Sequence, residues 1–108
     1  MYIQGSVYEY EDLVKDLKHE LKKHDESELM LDALKDDLSD DDLEPGASII
    51  IDSSGCILCC DETDDIEGTI REQYEYQEDE DMILIQVNSD GDIWYSYGKV
   101  SDILDSFV

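Results

Sequence analysis

The residues of this chain with the numbers and spacing to do chemistry are its carboxylates. Thirty-one Asp and Glu face seven Lys and Arg over 108 residues, a net charge of -24. Solubility needs a magnitude of only about 2 to 8 in a small domain. The excess destabilises the compact state by self-repulsion and speeds encounter with a basic partner. The acids are also unevenly placed. Residues 36–44 carry six: Asp36, Asp37, Asp40, Asp41, Asp42 and Glu44. Residues 61–81 carry eleven around the single Arg71: Asp61, Glu62, Asp64, Asp65, Glu67, Glu72, Glu75, Glu78, Asp79, Glu80 and Asp81. Residues 1–24, by contrast, hold five acids and four lysines. Acidity serving high salt would spread over every exposed face, so this placement points to a dedicated binding face.

Carboxylates catalyse when a pocket pushes the pKa values of a pair apart, which runs of solvated acids do not provide. The two histidines, His19 and His24, offer little for general base work, and the sequence has no serine-histidine-acid set, phosphate-binding glycine loop or H-E-x-x-H. The expectation is a binding protein, not an enzyme, and one without a cofactor. Line density suggests what is bound. Duplex DNA presents one charge per about 1.7 Å of axis, or about 3.4 Å along one strand. If residues 72–81 were helical, their six carboxylates would span about 15 Å. If residues 36–44 were extended, theirs would span about 30 Å. One carboxylate per about 2.5 Å in the first case and per about 5 Å in the second bracket the spacing along a nucleic-acid strand. Tyr74 and Tyr76 are interleaved with Glu72, Glu75 and Glu78, where an aromatic could stand in for a base beside its phosphates; Tyr74 also fits a core position, and Tyr76 is the better placed for exposure.

Cys56, Cys59 and Cys60 form C-x-x-C-C, a weak zinc signal, because the second ligand pair would be histidines five apart on a helix. Packing explains these cysteines better, and no metal is expected. The runs Asp52-Ser53-Ser54-Gly55 and Asn88-Ser89-Asp90-Gly91-Asp92 faintly resemble calcium loops but lack the bidentate Glu at position twelve. They read as hairpin turns.

These residues must be positioned by a fold, and the hydrophobic pattern supplies one. Tyr10, Leu13, Val14, Leu17 and Leu21 form the stripe of a helix over 10–23. Asp25 and Glu28 resemble a capping box for a second helix over 26–38, carrying Met30, Leu31, Ala33, Leu34 and Leu38. Residues 39–46 read as a loop. Two similar segments follow, 49–57 and 85–93, each a β-branched run with a polar turn containing Gly, and each precedes a helical pattern: Ile66, Ile70 and Tyr74, then Val100, Ile103, Leu104 and Phe107. The expectation is one α+β domain over 1–108, with a helical part at 1–38 and a sheet part at 47–108. An N-terminal helical hairpin would lead into two ββα units, whose four-stranded antiparallel sheet is covered by helices on one face.

Met1-Tyr2-Ile3-Gln4-Gly5 lacks the basic start and apolar run of a signal peptide, and no apolar stretch of about 18 residues occurs. A cytoplasmic protein with free thiols is expected. Direct binding to nucleic acid or an anionic membrane is disfavoured by charge. At the level of composition, over the whole chain and without a family motif, the protein resembles the small acidic DNA-mimic inhibitors of the anti-CRISPR and anti-restriction kind. That resemblance implies a basic nucleic-acid-binding partner, a Cas effector or restriction nuclease, whose DNA-holding or PAM-reading groove is occupied by carboxylates, in the host cytoplasm if the gene is carried by a phage. Two alternatives use the same charge: an immunity protein or antitoxin that caps a basic nuclease toxin, and a homodimer in which the lysine-bearing first helix meets an acidic face.

Overall fold

The consecutive isoleucines 49–51 decide the architecture. Side chains alternate between faces along a strand, so Ile49 and Ile51 point one way and Ile50 the other, yet all three are fully buried. A sheet with one covered face cannot do this; helices must lie on both. The computed structural model, which describes residues 2–22, 28–61, 63, 65–74 and 79–107, has that arrangement. Its strands are β1 (Tyr2–Val7), β2 (Ser48–Asp52), β3 (Ile57–Cys60), β4 (Asp81–Val87) and β5 (Ile93–Lys99). Its helices are α1 (Tyr10–Lys22), α2 (Glu28–Asp32), which continues as a π-helical turn at Ala33–Asp37, α3 (Ile66–Gln73) and α4 (Val100–Asp105).

The sheet is antiparallel throughout, in the order β1-β5-β4-β2-β3. It corrects the expected arrangement twice: there are five strands, not four, and both faces are covered. One face buries Ile49, Ile51, Ile83, Ile85, Tyr95 and Tyr97 beneath α1, α2 and the π-helical turn; the other buries Ile50, Met82 and Leu84 beneath α3 and α4. The fifth strand is β1, which pairs with β5 so that Gly5 lies opposite Tyr95. The Tyr95 ring lies over Gly5, in the space that a Cβ at that position would occupy.

The two similar sequence segments are related by symmetry in the sheet. Ile49 pairs with Ile85, 36 residues on, and the flanking pairs Ser48↔Gln86 and Ile50↔Leu84 exchange under the same shift. The hairpin pairs Ile51↔Ile57 and Val87↔Ile93 are likewise equivalent. An approximate two-fold axis therefore passes between Ile49 and Ile85, perpendicular to the sheet. It is closest across the hairpins and looser in the helices, because α4 follows β5 directly whereas residues 61–65 separate β3 from α3.

Helices α1, α3 and α4 form where their patterns predict, whereas the second helix, expected over 26–38, is α-helical over Glu28–Asp32 and widens to a π-helical turn over Ala33–Asp37. Leu13, Leu17 and Leu21 are buried along α1, while Glu11 and Asp12 in its first turn and His19 and Lys22 in its last complement the helix dipole. The Tyr10 hydroxyl donates to the carbonyls of Leu34 and Leu38 (2.9 Å to the latter), satisfying acceptors that a helix end otherwise leaves unpaired. Asp25, the anticipated cap of the second helix, lies outside the described residues. Asp65 caps α3 by accepting from the Gly68 N–H at 3.1 Å.

Candidate acidic interface

Strand direction determines where each acidic run goes. At one end of the sheet, here the upper end, β1, β3 and β4 finish and β2 and β5 begin, through the pairs Val7↔Ile93, Val87↔Ile93 and Ser48↔Cys60. The segment entering β2 is fastened there by Gly46 N–H to the Val87 carbonyl (2.8 Å) and Val87 N–H to the Ala47 carbonyl (2.9 Å). Asp61 follows β3 at this end, and Asp90 and Asp92 lie in the turn between β4 and β5. The Tyr10 hydroxyl, bonded to the carbonyls of Leu34 and Leu38, brings the start of the first run to the start of α1, and burial first, then Asp36 and Asp42, raise its phenol pKa. Burial and Asp42 also raise the Cys59 thiol pKa. The run 36–44 thus gathers at the upper end with the start of the second run and with the β4–β5 turn.

The described end of the second run, Asp79 to Asp81, lies at the lower end. Glu80 accepts from the Ser53 hydroxyl at 3.1 Å, and its carbonyl accepts from the Val100 N–H at 2.9 Å. Asp81 pairs with Lys99 across β4 and β5. Between the ends, α3 carries Glu67, paired with Arg71 at 3.9 Å, and the exposed Glu72. A seven-residue strand such as β4 separates the two ends by about 20 Å.

Both line-density expectations are corrected. Residues 36–44 are not extended: Asp36 and Asp37 close the π-helical turn, Asp40, Asp41 and Asp42 form a 3-10 turn, and the Asp42 carboxylate accepts from the Ser39 N–H at 2.9 Å. Residues 72–81 are not one helix, because α3 stops at Gln73 and β4 begins at Asp81. The described carboxylates of the two runs gather toward the two ends of the sheet and do not line one rod. Glu62, Asp64, Glu75, Tyr76 and Glu78 lie outside the described residues. Tyr74 is a core residue, 7% exposed.

The aromatic role assigned by sequence to Tyr74 and Tyr76 has other candidates at the upper end. Tyr8 is 81% and Trp94 51% exposed, and they sit just after β1 and at the start of β5, at the same end of the sheet as the acids just described. Trp94 lies on the face carrying α3 and α4, in a row across the sheet with Ser6, Gln86, Ser48 and Cys60. Neither residue was singled out by sequence. Trp94 alternates with Ile93 and Tyr95 in a strand, so its outward position becomes legible only once the buried face is known.

Other chemistry finds less support. Cys56 and Cys59 are exposed and Cys60 is half-buried; the raised pKa keeps the Cys59 thiol protonated at neutral pH. Among the described residues, no three His, Cys, Asp or Glu side chains are grouped to hold a metal ion. The hollow lined by Lys15, Asp16, His19, Glu20 and Tyr95 is open to solvent and about 380 Å³. Among the described residues, no helix is long and apolar enough to cross a membrane.

The site and fold define an acidic α+β protein with a three-layer core and an anionic, aromatic-bearing sheet end. No family model, curated protein or solved structure matches the chain.

Proposed function

We propose that this protein binds a basic nucleic-acid-binding protein as an anionic mimic of nucleic acid, blocking the groove of a defence nuclease such as a Cas effector or restriction enzyme, and that it acts without catalysis. One observation carries this reading: chain segments distant in sequence end or turn at one end of the sheet, the upper end, carrying carboxylates (Asp36, Asp42, Glu44, Asp61, Asp90, Asp92) and two exposed aromatics, Tyr8 and Trp94. Carboxylates oppose the lysines and arginines that hold phosphates. An exposed Tyr and Trp beside them offer flat surfaces of the kind that anchors interfaces. The distance to the lower end, about 20 Å, corresponds to about six base-pair steps at 3.4 Å along a strand, which suits a groove that grips backbone at two places.

The test is competition. The protein should displace duplex DNA or guide RNA from its target nuclease at moderate salt, with the displacement weakening steeply as salt rises. Failure to displace nucleic acid from every candidate nuclease would remove the reading.

A further inference from the structure

Helices α3 and α4 cover only part of their face of the sheet, and the side chains on that face record where the cover stops. In the middle of the sheet, Ile50 of β2 and Leu84 of β4 are buried in the core beneath these helices. Further along the same row the side chains turn polar, with Ser96 on β5 and then an exposed Gln4 on β1. In the row above, Ser6 and Trp94 are exposed and Gln86 is half-buried. The bare part therefore lies over β1 and the upper half of β5, and among the described residues Trp94 is its one large apolar side chain. An indole left 51% exposed keeps an accessible π surface, whose negative face takes a guanidinium better than the rings of Tyr or Phe do. Ser6 and Gln86 stand directly opposite Trp94 on its two sides, with their Cβ atoms about 5 Å from its own. Each carries an oxygen able to accept a hydrogen bond.

Resting on the reading that the protein meets a basic nucleic-acid-binding partner, we propose that this bare patch is an arginine-selective docking site: an arginine of the partner stacks on Trp94 and donates its N–H groups to the side-chain oxygens of Gln86 and Ser6. Arginines that hold nucleic acid stack on bases and donate to the acceptors on base edges. The indole takes the place of the base, and the flanking oxygens take the place of its acceptors. A lysine ammonium, a compact and strongly hydrated charge without a plane to stack, gains less from the same patch. Selection here needs no carboxylate at the patch itself. The net charge of -24 draws a cation from a distance, and the ring with its neutral neighbours then favours the guanidinium. Nucleic acid carries the wrong charge for this surface, and a second copy of the chain brings another -24.

Trp94 is the chain's only tryptophan, so its fluorescence reports this patch alone. Three peptides of equal length, alternating glycine with arginine, lysine or citrulline, are titrated into the full chain at about 0.15 M salt, with affinity read by calorimetry and the patch by emission. The arginine peptide should bind at least about fivefold tighter than the lysine peptide and move the emission to shorter wavelength. Citrulline, which keeps the shape without the charge, should do neither. Trp94→Ala should lower the affinity for the arginine peptide to that for the lysine peptide, and the wild-type emission decides the matter even if that variant does not fold. Equal affinity for arginine and lysine, unchanged emission while the arginine peptide binds, a bound citrulline peptide, binding of no peptide, or a homodimer that buries Trp94 overturns the proposal. Displacement of nucleic acid from a nuclease that Trp94→Ala leaves intact overturns it too, while the mimicry reading stands. Arginine selectivity at Trp94 without displacement from any nuclease supports the patch and removes the mimicry.

Discussion

Asp52 and Asn88, 36 residues apart, make the same hydrogen bonds. Oδ1 of Asp52 accepts from the N–H groups of Ser54 and Cys56, both at 3.0 Å; Oδ1 of Asn88 accepts from Asp90 at 3.0 Å and Asp92 at 2.9 Å. Three residues after each stands a glycine with φ near +90°, Gly55 at 86° and Gly91 at 88°, in the left-handed region that side chains disfavour. The turn is thus specified by an oxygen at its first residue and a glycine at its fourth. Asp52→Asn should leave stability unchanged or slightly higher, since the acceptor remains and one repelling charge is lost. Asp52→Ala and Asn88→Ala should each cost about 1 to 3 kcal/mol in urea unfolding. An unaffected Asn88→Ala would show that the glycine alone sets the turn.

Alkaline unfolding should report Tyr74. Burial, and then the Asp52 carboxylate to which its hydroxyl donates, push the Tyr74 phenol up to about 12 from its ordinary 10.0. The folded state therefore holds the proton more tightly than the unfolded state. Its stabilising contribution is complete below pH 10 and is lost as pH rises from 10 through 12. The loss should approach about 2 kcal/mol. Stability curves of the wild type and Tyr74→Phe, measured by urea unfolding across this window, should converge at the alkaline end; parallel curves would refute the assignment.

Gly5 should resist substitution because of Tyr95, not because of its backbone. Gly5→Ala places a methyl group against the Tyr95 ring and hydroxyl and should cost about 1 to 3 kcal/mol. Tyr95→Phe removes the nearest atom, together with the 3.3 Å hydrogen bond to Asp16. Combined with Gly5→Ala, it should show a favourable coupling in a double-mutant cycle. Additive losses would place the Gly5→Ala cost elsewhere.

Reversing charge should separate binding from folding. Asp36→Lys, Asp41→Lys and Glu44→Lys at the upper end should weaken displacement of nucleic acid from the target by about tenfold or more together. Glu72→Lys and Asp79→Lys should weaken it less. All five should leave thermal stability unchanged or raise it, because self-repulsion falls. For the same reason, raising salt from about 0.01 M to about 1 M, which shortens the screening length from about 30 to 3 Å, should raise the melting temperature of the wild type. Equal effects of the two groups on binding would mean that contact extends beyond the upper end.

Much of the fold was legible because the local signals were strong: the leucine stripe of α1, the paired glycine turns, and the helical spacing after each hairpin. What escaped was non-local. β1 reads poorly as a strand because Gly5 interrupts its alternation, and the ring that compensates lies on Tyr95, far along the chain. The second helical layer was implicit in Ile49-Ile50-Ile51 and Met82-Ile83-Leu84-Ile85, where consecutive apolar residues require burial on both faces. The charge asymmetry between α1 and the rest of the chain was visible in the sequence. The splitting of the second acidic run was not, because it depends on α3 crossing from the end of β3 to the start of β4, which residue counting cannot show.

The pairing of β1 with β5 has a consequence during synthesis. Val7 meets Ile93, and Tyr2 meets Gly98, so a strand made long before its partner must wait for it. At about 5 to 20 residues per second, the ribosome would hold Tyr2–Val7 without its partner for several seconds. Over that interval an uncharged strand trails from a chain whose later segments are dense with carboxylates. Mutual repulsion between neighbouring nascent chains would then oppose pairing of such strands until β5 emerges.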